Sequence, residues 1–259
     1  MRYAFALLIG LLATPAFAAM QVRPLDWEVD GQPFSGHLVY DDAGGKRPGI
    51  VMVPNWRGVN ATAIERAKAI GGRDYVVLVA DVYGVSIRPS NNQEAAAAAQ
   101  AAYADRERLR RRVSAALEQL RAQAGTTVPV DDGKLAAIGF CFGGATALEL
   151  ARSGADVAAV VSFHGNLTTP LPAQPGAVRA KVLVLNGADD SYVKPEHIAG
   201  FQVEMTAAGA DWQLVNLSGA VHCFAEPDAN EAPGCLYHER SAKRAYRMMR
   251  AHLAEAFGD

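Results

Sequence analysis

Five near-continuous apolar runs, separated by stretches with helical spacing, restrict this chain to a small set of folds. They are GIVMVP (49–54), YVVLVADVYG (75–84), KLAAIGF (134–140), VAAVVSFHG (157–165) and KVLVLNGADD (181–190). A strand of alternating polarity can leave one face in water, whereas a strand apolar at nearly every position needs cover on both. The cover lies between the runs. ATAIERAKAIGG follows Asn60 as a helix cap, and a long helical region runs over about 93–123. GATALELARSG stops at Gly154, and PEHIAGFQVEMTAAG and ERSAKRAYRMMRAHLAEAF are two later helices. DWQLVNLSG reads as a last, alternating strand, and LDWEVDGQPFSGHLVYD as an edge hairpin turning at Asp30–Gly31. This order predicts an α/β fold: a mostly parallel central sheet with helices on both faces. No repeat, linker or change of composition divides the 259 residues, so one domain is expected over 19–259.

The first 18 residues differ in kind. MRYAFALLIGLLATPAFA has Arg2, an apolar stretch over 4–13, a breaker at Pro15 and an Ala16-Phe17-Ala18 cleavage pattern. It reads as a secretory signal peptide, giving an exported (periplasmic or secreted) protein that starts near Ala19. No other stretch is long and apolar enough to span a bilayer. Net charge is −2 with mixed signs, which gives no support for nucleic-acid or membrane-surface binding. The one basic run, RERLRRR (106–112), reads as a solvated helix face.

An oxidising compartment makes cysteine pairing informative. Cys223 and Cys235 flank the loop FAEPDANEAPG and are disulfide candidates, with Cys141–Cys223 as a rival pairing. His222, Cys223, Cys235 and His238 are set aside as a zinc set, because adjacent ligands in the first pair chelate poorly. Neither a metal nor a cofactor is expected.

Cys141 stands in Gly139-Phe140-Cys141-Phe142-Gly143, between a buried strand and a helix. Strand, sharp turn and helix, with a nucleophile between small residues, is the outline of a nucleophile elbow, here with a thiol for the usual hydroxyl. A structural buried cysteine is the alternative. In parallel sheets ligands bind beyond the carboxyl ends of the strands, so partners for the thiol should stand there. NGADDSYV ends one strand in Asp189 and Asp190, and GAVHCF after the last strand carries His222. Of six histidines, His37, His197, His238 and His252 lie away from strand ends. His164, in SFHG, is at one but precedes the acid in chain order, so it reads as a pocket-wall or hydrogen-bonded structural residue. Nucleophile, acid and histidine in that order suit a thiol activated by an imidazole that a carboxylate orients. The oxyanion would meet the backbone N–H of Phe142. Spacing alone leaves Asp189 and Asp190 both open.

With GFCFGG, GVN (58–60), ADVYG (80–84), GADDSYV and GAVHCF in this order, the chain resembles the dienelactone hydrolase family from about 48 to 224. The resemblance implies an α/β-hydrolase fold and a carboxylic ester or lactone hydrolase acting through an acyl-thioester. It assigns the acid to Asp190, by the spacing of Gly187 and Val193. It also implies Trp56 as the second oxyanion N–H, with Asn55, Arg57, Tyr83 and His164 as pocket-lining candidates. Family enzymes acting on dienelactone carry a glutamate where this chain has Asn55, and arginines where it has Val85 and Glu226; Arg57 and Arg88 fall off that pattern. A small neutral ester or lactone is therefore the expected substrate. A catalytically weak binding protein and a redox-sensing thiol protein are the competing readings.

Overall fold

The computed structural model describes residues 19–258; the expected signal peptide, 1–18, lies outside them. A β-hairpin of β1 (Met20–Val29) and β2 (Gln32–Asp41) turns at Asp30–Gly31 and opens the chain. It leads into β3 (Arg47–Val53), α1 (Ala61–Gly71), β4 (Val76–Val79), α2 (Asn92–Ala104), α3 (Arg106–Arg121), β5 (Val130–Phe140) and α4 (Phe142–Arg152). Then follow β6 (Ala159–Phe163), β7 (Lys181–Gly187), α5 (Pro195–Ala207), β8 (Trp212–Leu217), a short β9–β10 ribbon (Asn230–Glu231, Cys235–Leu236) and α6 (Glu239–Phe257).

Eight strands form one sheet in the order β1-β2-β4-β3-β5-β6-β7-β8. β1 and β2 are antiparallel, β2 is antiparallel to β4, and the rest run parallel. The apolar runs divide by parity between two cores, as the period of a strand requires. Val51, Leu78, Ala137, Val160 and Val184 face the side covered by α2 to α5, where Leu109, Val113, Leu148 and Phe201 meet them. Ile50, Val77, Ile138, Val161 and Leu185 face α1 and α6, against Ala67, Ile70, Met249 and Leu253. Full burial of one such side chain is worth about 1.5–3 kcal/mol, so the central strands hold the sheet in register.

Three local readings need correction. The 75–84 run is strand only to Val79: the Asp81 carboxylate accepts the N–H groups of Tyr83 and Gly84 at 3.0 Å each and turns the chain out of the sheet. The long helical region is two helices, because Asp105 breaks the first and caps the second, its side chain accepting the Arg108 N–H. The basic run is not a free solvated face. Arg106 is buried over the Tyr103 ring, and Arg110 pairs with Glu149 at 2.8 Å.

Candidate active site

β5 delivers Cys141 into a turn that few side chains tolerate. Cys141 has φ 53° and ψ −117°, in the left-handed half of backbone space. Such a conformation costs on the order of 1–3 kcal/mol and needs support from its surroundings. The Cys141 N–H is held from two sides, by the Phe163 carbonyl at 3.0 Å and by His164 Nδ1 at 3.1 Å. The flanking glycines are steric requirements. A Cβ on Gly139 would sit 2.0 Å from the Gly143 carbonyl oxygen, and one on Gly143 would sit 2.1 Å from that of Val53. Phe142 is the first residue of α4, so its N–H is among the helix donors without an intrahelical partner.

His222 and Asp190 meet at the same end of the sheet. Asp190, buried just beyond β7, places Oδ2 2.8 Å from His222 Nδ1, and its Oδ1 accepts the Tyr192 N–H at 2.8 Å. Asp189 is exposed. His222 and Cys141 line the same cavity, and Cys141 acts electrostatically on the imidazole. Burial by itself lowers the imidazole, but the electrostatic pull of Cys141 and the Asp190 carboxylate together outweigh it and push His222 up to about 10. His222 therefore keeps its proton in the folded protein long after an unfolded histidine has lost it near pH 6.5. The stability this lends is whole below about pH 6.5 and is lost as the pH rises through about 10. The expected NMR result is a His222 ring resonance that does not titrate between pH 5 and 9, and whose titration moves down in pH in Cys141→Ala and in Asp190→Asn, since each removes part of what raises it. Titration near pH 6.5 in the wild type would contradict the ion pair.

The loop after β3 forms the opposite wall. Asn55 Oδ1 accepts the Arg57 N–H at 3.1 Å and the Asn55 carbonyl accepts the Gly58 N–H at 2.9 Å, which fixes Trp56 between them. Asn55 and Arg57 line the site cavity, as does Trp56. Tyr83 and His164, expected at the wall, lie behind it. Tyr83 packs on Phe142 at 5.1 Å, and its hydroxyl donates to the Trp56 carbonyl at 3.0 Å. His164 is fully buried, and burial, with His222 and Arg66 acting in the same sense, holds it well below the usual histidine range. With Nδ1 accepting from Cys141, its proton stands on Nε2, facing Glu226 Oε1 at 3.7 Å. Val85 lines none of this, and Arg88 is tied to Asp81 at 2.8 Å.

Two features escaped the sequence. Glu226 is buried in an ion pair with Arg66 at 2.9 Å while accepting the Asn55 amide at 2.5 Å; burial pushes its carboxyl up, against the pull of Arg66 and Asn55. Tyr192 packs edge-on to the His222 ring at 5.0 Å, inside a motif whose acids had drawn attention alone.

Cys223 and Cys235 are joined by a disulfide, and among the described residues Cys141 is the free cysteine. The bridge closes the loop directly after His222, and the Leu236 N–H donates to the His222 carbonyl at 3.1 Å. In a chain-entropy view a loop this short contributes roughly 2–3 kcal/mol. Cys223→Ser/Cys235→Ser should therefore lower Tm by several degrees and lower kcat more than it raises KM, since it loosens the His222 backbone. An unchanged kcat would show that the loop holds His222 without the bridge.

Comparisons place the arrangement. The family model for the dienelactone hydrolase family matches residues 34–257. A solved dienelactone hydrolase-like promiscuous phosphotriesterase from metagenomic libraries superposes with TM-score 0.85 at 37% identity, covering 92% of this chain and 99% of its own. An uncharacterized protein of Caenorhabditis elegans is 36% identical over 156 residues, 58% of this chain and 95% of its own. A Bradyrhizobium protein described as a probable 2-oxo-3-(5-oxofuran-2-ylidene)propanoate lactonase is 28% identical over 225 residues, 80% of this chain and 87% of its own. On this match in sequence and fold, the chain belongs to the dienelactone hydrolase family and is an ester or lactone hydrolase of that type.

Proposed function

We propose that the protein is an exported, cysteine-dependent hydrolase of neutral carboxylic esters or lactones, with Cys141, His222 and Asp190 as its catalytic triad. The observation that carries this reading is that Asp190 Oδ2 holds His222 Nδ1 at 2.8 Å while His222 shares a cavity wall with Cys141 on its strained turn. The Cys141 thiolate attacks the carbonyl carbon, forming a C–S bond as the π pair moves to oxygen. Backbone N–H groups of Phe142 and Trp56 receive that oxyanion. Its collapse breaks the ester C–O bond, and the leaving oxygen takes its proton from His222. Water then attacks the thioester and gives a proton to His222. The C–S bond breaks, releasing the acid and restoring the thiolate. Asp190 keeps the imidazole oriented and offsets its charge. Export is supported by the leader-like first 18 residues and by the Cys223–Cys235 bridge, which suits an oxidising compartment.

The charges around the thiol favour neutral substrates. Glu226 occupies one of the positions expected to hold a carboxylate-binding arginine, and the Arg66 beside it is already paired with Glu226 and Asp228, each at 2.9 Å. A charge-assisted contact is worth roughly 1.5–3 kcal/mol, so its absence removes one to two orders of magnitude of preference for an anion. The test is a panel of esters and lactones that includes a ring-carboxylated lactone and its methyl ester. The methyl ester should give the higher kcat/KM, and a clear preference for the free acid would contradict the reading. The description of the metagenomic relative adds phosphotriesters to the panel.

A further inference from the structure

Cys141 does not sit in one uniform pocket. It lies on the wall of two cavities, which share it with Trp56, Glu231 and the Cys223–Cys235 bridge. One, of about 320 Å³, is apolar, walled by Trp56, Ala99, Tyr103, Phe142, Tyr192 and Val193. The other, of about 340 Å³, is polar, walled by Asn55, Arg57, Asn60, Arg66, Glu226 and Glu231. His222 lines the apolar cavity and not the polar one.

That asymmetry fixes which part of a substrate goes where. In the tetrahedral intermediate the former carbonyl carbon holds the sulfur, the oxyanion, the leaving oxygen and the acyl substituent. The oxyanion is taken by the backbone donors. The leaving oxygen must come within hydrogen-bond reach of the imidazole, about 2.6–3.2 Å, to collect its proton. The alcohol part must therefore lie in the cavity that His222 lines, and the acyl substituent is left with the other.

We propose that the two cavities sort the halves of the substrate: the alcohol enters the aromatic-walled cavity under Tyr192, and a hydrogen-bonding, non-anionic acyl group enters the polar one. This rests on the thiol mechanism above and names its substrate class: esters of hydroxylated or amino-bearing acids with apolar, ring-sized alcohols. Both guanidiniums in the polar cavity already face carboxylates, Arg66 toward Glu226 and Asp228 and Arg57 toward Glu231 at 3.9 Å. The wall thus offers donors and acceptors to hydroxyl or ammonium groups and no unshared cation to a carboxylate.

The experiment compares two esters with the same kinds of group in exchanged places, benzyl glycolate and 2-hydroxyethyl phenylacetate. Each kcat/KM is divided by the hydroxide-catalysed rate of the same ester, which removes intrinsic reactivity. Benzyl glycolate should win by about tenfold or more, the scale at which an apolar pocket discriminates. Tyr192→Ala, at a side chain 63% exposed, should cut that ratio severalfold while the preference between 4-nitrophenyl glycolate and 4-nitrophenyl butanoate, which share an alcohol, holds. Equal or reversed rates for the exchanged pair would overturn the sorting. So would a Tyr192→Ala effect on acyl preference alone. Cys141→Ala separates the two levels: loss of hydrolysis in the variant together with the wrong preference in the wild type sinks the sorting only, and hydrolysis of both esters at the wild-type rate in the variant sinks the mechanism and the sorting with it.

Discussion

Cys141→Ala should lower kcat for small activated esters by about 10⁴-fold or more while leaving the far-UV spectrum and the cooperative unfolding transition in place. Removing a nucleophile that works as a unit with its base and orienting acid leaves only binding and oxyanion stabilisation, which accounts for a loss of that order. The fold should survive because the substitution deletes one half-buried sulfur and keeps the backbone contacts. The N–H at 141 still meets the Phe163 carbonyl and His164 Nδ1, and Gly139 and Gly143 still clear the close approach of strand and helix. Ester hydrolysis at comparable rates in the wild type and the alanine variant would remove the chemistry from this turn.

Asp190→Asn should cost roughly 10³–10⁴-fold in kcat, while Asp189→Asn stays within about threefold of the wild type. The two acids are adjacent in sequence and opposite in environment. Asp190 is buried with one oxygen on His222 and the other on the Tyr192 N–H, whereas Asp189 is exposed and its backbone N–H binds the Ala220 carbonyl. An asparagine at 190 keeps the volume but loses a carboxylate that both orients His222 and helps to hold it protonated, so the orienting and the electrostatic roles weaken together. The reverse pattern of activities would place the acid at 189.

The central strands were legible because burial on both faces writes itself as an unbroken apolar run, and the hairpin because Asp30–Gly31 supplies a turn between alternating segments. Cys141 was legible because a turn this tight leaves a glycine pattern around it. Other features depended on contacts that no local window contains. Arg66 sits among Glu65 and Lys68 in α1 with nothing local to mark it; it is buried over the Phe140 ring, and the 223–235 loop, far along the chain, brings Glu226 and Asp228 to it. The division of the site into apolar and polar cavities arises in the same way, from Tyr103, Tyr192 and Glu231 converging from three separate segments. The break between α2 and α3 was locally encoded by Asp105, but the alanine-rich stretch before it and the Arg, Glu and Leu after it, all strong helix formers, concealed it.

A thiol nucleophile at 141 requires a covalent acyl intermediate. The measurement is intact-protein mass and peptide mapping after rapid acid quench of the protein with 4-nitrophenyl acetate, on the wild type and on Cys141→Ala. The wild type should gain the mass of one acetyl group, confined to the peptide carrying Cys141, formed as fast as the nitrophenolate burst and absent from the variant. Hydrolysis at the wild-type rate in Cys141→Ala, or an adduct on another residue that turns over at the steady-state rate, would contradict a thiol nucleophile at 141.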